Sequence, residues 1–119
     1  MDVELVRELC LNKPRSEESA PFGPDVLVYK VGDKIFANIS LGDTEMRVIA
    51  KCDPARVDEL RAENPGIVAP RYFNKKHWNS ISLDDGVPPS LIEELVQHSY
   101  EVIVAKLTKK LRHELGIGT

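Results

Sequence analysis

The residues whose chemistry is most evident form one run, residues 71–79, with the sequence RYFNKKHWN. This run holds three cations, three aromatic rings, one imidazole and two carboxamides, and it holds no acid. Because cations neutralise phosphates and aromatic rings stack on bases, this composition is typical of nucleic-acid contact. We call residues 71–79 the aromatic-basic cluster. Its candidate nucleic-acid-binding residues are Arg71, Asn74, Lys75, Lys76, His77 and Trp78.

Each of these residue types also has a purely structural use. A short run of cations in a loop often forms a solvated turn, and the carboxamides of Asn74 and Asn79 can hold a loop through local hydrogen bonds. Trp78 begins a predicted strand, where burial of its ring against a helix competes with base stacking. The sequence leaves the structural and the functional interpretations open.

A second basic set lies near the C-terminus, between Glu101 and Glu114, and contains no acid. Its members are Lys106, Lys109, Lys110 and Arg112. The lysines are spaced i, i+3 and i+4, which places them on one face of a predicted helix. Cations in a last helical turn also complement the helix dipole without any ligand. The set therefore either extends a phosphate-binding surface or stabilises the helix.

The net charge of the chain is −3, from 16 Lys plus Arg against 19 Asp plus Glu, so bulk electrostatics do not attract nucleic acid. The distribution is uneven, because residues 1–70 carry −4 and residues 71–119 carry +1. Positive charge is therefore gathered in the second half of the chain. We expect any nucleic-acid contact to be local and weak.

No residue pattern indicates catalysis or a metal site. His77, His98 and His113 lack the spacing of metal ligands on one helix, and no cysteine lies close enough to complete a zinc pattern. Ser99 beside His98 is not a nucleophile and base pair, because adjacent helical residues point about 100° apart. We therefore predict a non-enzymatic protein with no cofactor and no metal.

The two cysteines, Cys10 and Cys52, belong to no CxxC pair, and we predict that both are buried reduced thiols. Cys52 also precedes a predicted helix N-terminus, a position that can lower a thiol pKa, but no cation apart from Lys51 adjoins it. No apolar run approaches the ~20 residues that cross a bilayer, and the first residues do not show the charged and then apolar pattern of a signal peptide. We expect a cytoplasmic location and no membrane partner.

With 119 residues, the chain is predicted to be a single domain over residues 1–119. Apolar periodicity and turn residues predict an element order of α-β-β-β-α-β-β-α, which favours an α+β fold with an antiparallel sheet covered by helices. Residues 15–24 are expected to be a polar loop in which Phe22 packs inward, and turns are expected at Gly32-Asp33 and Gly42-Asp43. A long terminal helix with a Ser90 and Glu93 capping box is expected to run to Gly116.

Five strings share their order and spacing with a known family: PFGPD at 21–25, KCDP at 51–54, NKKHWN at 74–79, HSY at 98–100 and AKLTKKLR at 105–112. Over about residues 7–113 the chain resembles the MmcQ/YjbR family. The resemblance implies a two-layer α-β(3)-α-β(2)-α arrangement that is CyaY-like and akin to type III secretion chaperones. The family is labelled DNA-binding through a double-wing motif. Phe73 and Thr108 depart from the methionine and proline common in the family.

Two functions follow as hypotheses. In the first, the chain is a small binding module that contacts DNA phosphates weakly and non-specifically through the aromatic-basic cluster. In the alternative, it is a protein-interaction or chaperone-like adaptor without nucleic-acid binding, in which the acidic first half attracts a basic partner. The direction in which Lys75 and Lys76 point relative to Lys106, Lys109 and Lys110 is expected to discriminate between them.

Overall fold

A computed structural model of the chain describes residues 1–41 and 45–117. Its elements are α1 (Val3–Leu11), β1 (Glu17–Ser19), β2 (Val26–Val31), β3 (Lys34–Ser40), β4 (Arg47–Lys51), α2 (Pro54–Glu63), β5 (Ile67–Val68), β6 (Trp78–Ser82), α3 (Pro89–Lys106) and α4 (Lys109–Leu115). The strands form one sheet in the order β1-β2-β3-β4-β6-β5, with every neighbouring pair antiparallel. The predicted α+β class with an antiparallel sheet is confirmed.

The β2–β3 hairpin turns at the two residues that the sequence indicated. Gly32 and Asp33 have φ angles of 55° and 64°, which is the conformation of a type I′ turn. The start of α2 is also as predicted: the Asp53 side chain accepts a hydrogen bond from Ala55 N, and Pro54 occupies the first turn. The turn predicted at Gly42-Asp43 lies outside the described residues.

The pairing register separates the two faces of the sheet. Val48 pairs with Ile81 and both belong to the main core, so this face carries the helices. Lys51 pairs with Trp78 and lies one residue beyond buried Ala50, so both point to the opposite face. We call that opposite side the open face. Residues of the aromatic-basic cluster therefore reach a side of the sheet that α1, α2 and α3 do not cover.

Ser99 ties α3 to the sheet at close range. Its hydroxyl donates to the Phe36 carbonyl oxygen and accepts from Lys51 N at 2.8 Å, and the residue is fully buried. Phe36 lies at an irregularity of the β2–β3 ladder, where a strand partner is missing. The serine thus satisfies backbone groups of both β3 and β4, and it also allows the close helix–sheet packing expected from its small size.

Residues 15–24, predicted to be a loop, contain strand β1, so that prediction was wrong. Glu18 in this strand accepts two hydrogen bonds of 2.8 Å from the Arg7 guanidinium and one of 2.6 Å from the Tyr29 hydroxyl. These bonds hold a charged segment against β2. The inward packing predicted for Phe22 was also wrong, because its side chain is 71% exposed.

The predicted terminal helix is two helices. α3 ends at Lys106, and Thr108 then caps α4 by accepting a hydrogen bond from Leu111 N. The predicted capping box is also absent: Pro88 is the N-cap of α3, without a side-chain hydrogen bond. Across residues 1–41 and 45–117, no helix combines the length and apolar composition needed to span a membrane.

Candidate nucleic-acid interface

The aromatic-basic cluster forms the connection between β5 and β6, and its cations are exposed. Arg71, Lys75 and Lys76 all lie at the surface, and none forms a salt bridge with a described residue. Asn74 is exposed too, but its Oδ1 accepts a hydrogen bond from Lys76 N at 2.9 Å and its carbonyl accepts one from His77 N. Asn74 therefore shapes the turn that displays the two lysines.

Arg61, on α2, holds the β5–β6 connection in place through hydrogen bonds. Its Nε donates to Asn79 Oδ1 at 2.8 Å, and its Nη2 donates to the carbonyl oxygens of Lys75 and Trp78. Sequence reasoning missed Arg61, because no motif marks it and its partners lie 14 or more residues away. The planar guanidinium suits this task, since it holds several acceptors in fixed directions.

Trp78 lies on the open face, so its ring does not pack against α1, α2 or α3. Its half-buried ring packs on Phe73 with a centroid separation of 4.8 Å, and Lys51 Nζ lies 5.4 Å from its ring centroid. A cation over a tryptophan ring is attracted by the ring quadrupole. The contact joins the aromatic-basic cluster to the end of β4.

Lys51 connects the cluster to two further lysines. The pKa of Lys51 is lowered, first by burial and then by the positive charges of Lys106 at the end of α3 and Lys34 at the start of β3. Lys51 has no salt-bridge partner in the described part of the chain. Positive charge therefore accumulates at the end of the sheet where β4 and α3 finish. Sequence reasoning missed Lys51 and Lys34 because no other cation adjoins either of them in the sequence.

The remaining basic candidates lie on α4. The argument that placed Lys106, Lys109 and Lys110 on one helical face was wrong, because the helix is interrupted after Lys106. Lys109 and Lys110 are exposed, whereas Arg112 is partly buried with its Nε lacking a partner among the described residues. Of the C-terminal candidates, only Lys106 is linked by a described electrostatic contact, through Lys51, to the aromatic-basic cluster.

His77 contributes a backbone hydrogen bond to the site. It is half-buried, and its carbonyl oxygen accepts a hydrogen bond of 2.8 Å from Cys52 N. Within the described ranges, no three His, Cys, Asp or Glu residues are placed to hold a metal ion. Cys10 and Cys52 are buried and unbridged, as predicted. Burial raises the pKa of the Cys52 thiol, despite its position before the N-terminus of α2.

Beside the cluster, the open face carries an apolar groove with a volume of about 570 Å³. Its lining residues are Phe22, Val26, Ile35, Asn38, Ser40, Ile49, Tyr72 and Phe73. Tyr72 is 86% exposed, so its ring stands in solvent at the groove margin. We call this feature the open-face groove. Two of its aromatic walls come from the same loop that presents the cations.

The sequence is similar to two proteins from Escherichia coli. It is 30% identical over 112 residues to the protein of strain K12 named uncharacterized protein YjbR, spanning 94% of this chain and 95% of that relative. It is 31% identical over 111 residues to uncharacterized protein YbdF of strain O157:H7, spanning 90% of this chain and 88% of that relative.

The fold is similar to solved structures. A crystal structure of Deinococcus radiodurans protein DR2400, a DUF419 domain, superposes with a TM-score of 0.90 at 37% identity, covering 98% of this chain and 88% of that one. A crystal structure of a Pseudomonas syringae protein gives a TM-score of 0.75 at 22% identity, covering 86% of this chain and 98% of that one, and this supports the fold alone.

The model of the YjbR family matches residues 11–102. This match includes four of the five strings on which the resemblance was based, and the two E. coli relatives span nearly the whole chain. The protein therefore belongs to the YjbR family, the MmcQ/YjbR family that its sequence resembles.

Proposed function

We propose that this protein is a small non-enzymatic module that binds DNA weakly and without sequence preference. Arg71, Lys75 and Lys76 contact phosphates, and Lys51 with Lys106 extends the contact along the end of the sheet. The observation that carries this proposal is a loop held in place by Arg61, whose cations are exposed and have no salt-bridge partner among the described residues. A solvated turn would not require such an anchor from a neighbouring helix.

The accumulation of lysines supports the proposal independently. Like charges brought close together oppose folding, and the pKa of Lys51 is lowered first by burial and then by the positive charge of Lys106. A phosphate placed beside Lys51 and Lys106 would neutralise the repulsion and release counterions. The arrangement therefore favours an anionic partner, whereas the net charge of −3 keeps the overall affinity low.

The test is a fluorescence anisotropy titration of a labelled random-sequence duplex at several salt concentrations. Five phosphate contacts, from the three cluster cations with Lys51 and Lys106, correspond to a slope of log affinity against log salt of about −4.5, or roughly a 500-fold loss between 50 and 200 mM salt. The Lys75→Glu, Lys76→Glu double variant should weaken binding to all sequences alike, because phosphate contacts carry no sequence information. Circular dichroism confirms that the variant is folded.

The chain offers a matched control in a second adjacent pair of exposed lysines on α4. Lys109→Glu with Lys110→Glu makes the same charge change away from the aromatic-basic cluster. Binding should fall less in this variant than in the cluster variant. An equal loss would show that net charge, and not the cluster, controls binding, and no binding at low salt would refute the proposal.

The open-face groove favours a second candidate function, a protein-interaction module. Phe22 and Tyr72 are 71% and 86% exposed, which is unusual for rings of this size beside an apolar surface. In this alternative, the groove receives an apolar side chain of a partner peptide, and the protein does not bind DNA. The titration separates the two functions, because only the first predicts salt-sensitive binding of the duplex.

A further inference from the structure

The floor of the open-face groove contains the polar side chain of Asn38. Asn38 is 7% exposed and lines the groove, and its carboxamide forms no hydrogen bond with any residue that the structure describes. Its neighbours in the groove are mostly apolar, including Val26, Ile35 and Ile49. An occupant of the groove therefore meets a mainly apolar surface whose polar groups include the Asn38 carboxamide and the Ser40 hydroxyl.

This carboxamide discriminates between kinds of occupant. An asparagine side chain presents an acceptor oxygen and two donor hydrogens, and leaving them unpaired under a bound ligand costs free energy. A purely apolar side chain from a partner would cover Asn38 without satisfying it. The edge of a nucleobase offers the complementary donor and acceptor, as in the pairing of asparagine with adenine.

The groove walls suit a flat aromatic ring. Phe22, Tyr72 and Phe73 contribute rings to the lining, and the Phe73 ring is itself supported by Trp78. Stacking of a base on an exposed aromatic side chain is tolerant of sequence, since every base has a π-face. The volume of about 570 Å³ lies within the roughly 300 to 1,000 Å³ of typical ligand pockets.

Two of the groove residues, Tyr72 and Phe73, lie in the same segment as the proposed phosphate-binding cations. Arg71 immediately precedes Tyr72, and Lys75 follows Phe73 by two residues. A nucleic-acid strand whose phosphates contact these cations would therefore place its bases at the groove margin. In a duplex those bases are paired and stacked inside, and extracting one costs a few kcal/mol.

We propose that the open-face groove holds one unstacked base of a single-stranded nucleic acid. Tyr72 stacks on the base, and the Asn38 carboxamide forms hydrogen bonds with its edge. This inference rests on the proposed phosphate contacts, and it specifies a single strand as the preferred form of the nucleic acid.

The test compares three labelled probes of equal length at one low salt concentration: a single-stranded oligonucleotide, its duplex, and a single strand of abasic sites. The abasic strand retains the phosphates but offers no base. We expect the single strand to bind at least five-fold more tightly than either of the other two. Tyr72→Ala should weaken single-strand binding by roughly five- to 150-fold and leave abasic binding unchanged.

Two further variants complete the design. Asn38→Leu removes both hydrogen-bonding groups at similar volume and should reduce the preference for the single strand over the abasic strand. Leu5→Ala truncates another exposed apolar side chain, 52% exposed on α1, and should change nothing. Because Tyr72 is highly exposed, its variant tests the inference even if the Asn38 variant fails to fold.

The outcomes separate this inference from the proposed function. If the abasic strand binds as tightly as the intact strand, and Lys75→Glu with Lys76→Glu weakens both, the phosphate contacts stand and the base site is refuted. If no probe binds, both proposals are refuted. Displacement of the bound strand by an apolar peptide, with no effect of Asn38→Leu, would assign the groove to a protein partner and overturn the base site.

Discussion

Arg61 on α2 donates its Nε hydrogen to Asn79 Oδ1 on β6 at 2.8 Å, across 18 residues of sequence. Asn79 is 2% exposed, and its Nδ2 has no partner among the described residues. Among the described residues, Arg61 is therefore the hydrogen-bond partner of the buried Asn79 side chain. Its further bonds to the carbonyl oxygens of Lys75 and Trp78 make it the connection between α2 and the aromatic-basic cluster.

Replacing Arg61 by alanine should destabilise the protein and weaken DNA binding together. The variant removes charge-assisted hydrogen bonds and leaves Asn79 buried and unpaired, for which we expect a loss of about 2 kcal/mol in the free energy of unfolding. DNA affinity should fall as well, because the cluster loses its anchor. Urea denaturation and the duplex titration measure the two effects.

The Arg61→Lys variant tests whether the geometry of the arginine side chain, and not only its charge, is required. Lysine retains the charge but lacks the planar fork, so it cannot bond Asn79 and both carbonyl oxygens in the same geometry. We expect it to recover little of the lost stability. If the lysine variant matches the parent protein in both assays, Arg61 acts through charge alone and the anchoring role is wrong.

Lys51 should affect binding more than stability. In the Lys51→Met variant, loss of the attraction to the Trp78 ring is offset by relief of burial and of repulsion from Lys106 and Lys34. We therefore expect the free energy of unfolding to change by less than about 1 kcal/mol. The slope of log affinity against log salt should become shallower by about 1, since one phosphate contact is lost.

Lys13→Met is the control, because Lys13 follows α1 and its Nζ bonds Gln97 on the side of the sheet that carries the helices. Its salt slope should equal that of the parent protein. An unchanged slope in Lys51→Met would remove Lys51 from the DNA-binding surface.

Local chemistry explains which parts of the fold could be predicted from the sequence. The Gly32-Asp33 turn and the Asp53-Pro54 helix start depend on residues within a few positions of each other, so their signals are complete in the sequence. Strand β1 depends on Glu18 meeting Arg7 and Tyr29, each 11 residues away. A charged, short strand of this kind has no apolar alternation to reveal it.

The candidate site shows the same division. The exposed cations at Lys75 and Lys76 could be predicted, because an acid-free run in an acidic chain is visible in the sequence. Arg61, Lys51 and Asn38 could not, since each gains its role from contacts with residues distant in sequence. The division of the terminal helix into α3 and α4 was missed for a different reason. The apolar periodicity of the sequence continues across Thr108, whereas the helical conformation of the backbone is interrupted there.

Glu18 makes stability depend on pH in the acid range. The Arg7 guanidinium, together with the Tyr29 hydroxyl, lowers the pKa of Glu18 from 4.5 to about 2. A carboxyl whose folded-state pKa is depressed contributes stability above its unfolded pKa, and this contribution is lost as the pH falls through the folded pKa. The Glu18 contribution should therefore be complete above pH 4.5 and disappear towards about pH 2.

Comparison of Glu18→Gln with the parent protein isolates this contribution. At pH 7 we expect the variant to be less stable by about 1 kcal/mol, given the solvent screening of a partly exposed pair. The difference should shrink as urea denaturation is repeated from pH 5 down to pH 3. A difference that stays constant over this range would mean that packing, and not the charge of Glu18, accounts for the loss.

Gly66 and Gly86 illustrate two structural reasons why a position requires glycine, which are lack of space for a Cβ and a positive φ angle. A Cβ on Gly66 would lie 2.8 Å from the Asp85 carbonyl oxygen and 2.7 Å from Val87 Cγ2, whereas a Cβ on Gly86 would meet nothing within 4 Å. Gly86 instead has a φ of +73°, which strains any L side chain. Gly66→Ala should cost roughly 2 to 3 kcal/mol, because the carbonyl is backbone and must move with its loop.

Gly86→Ala should cost only about 1 kcal/mol, because its penalty is conformational and no atom is displaced. Urea denaturation of both variants measures the difference. The Gly66 variant should also weaken the pairing of β5 with β6, because the Gly66 carbonyl oxygen accepts a hydrogen bond of 2.8 Å from Ser82 N. The rate of amide hydrogen exchange at Ser82 should therefore rise. If Gly86→Ala is the more damaging of the two, close approach of the Asp85 loop is not what requires glycine at position 66.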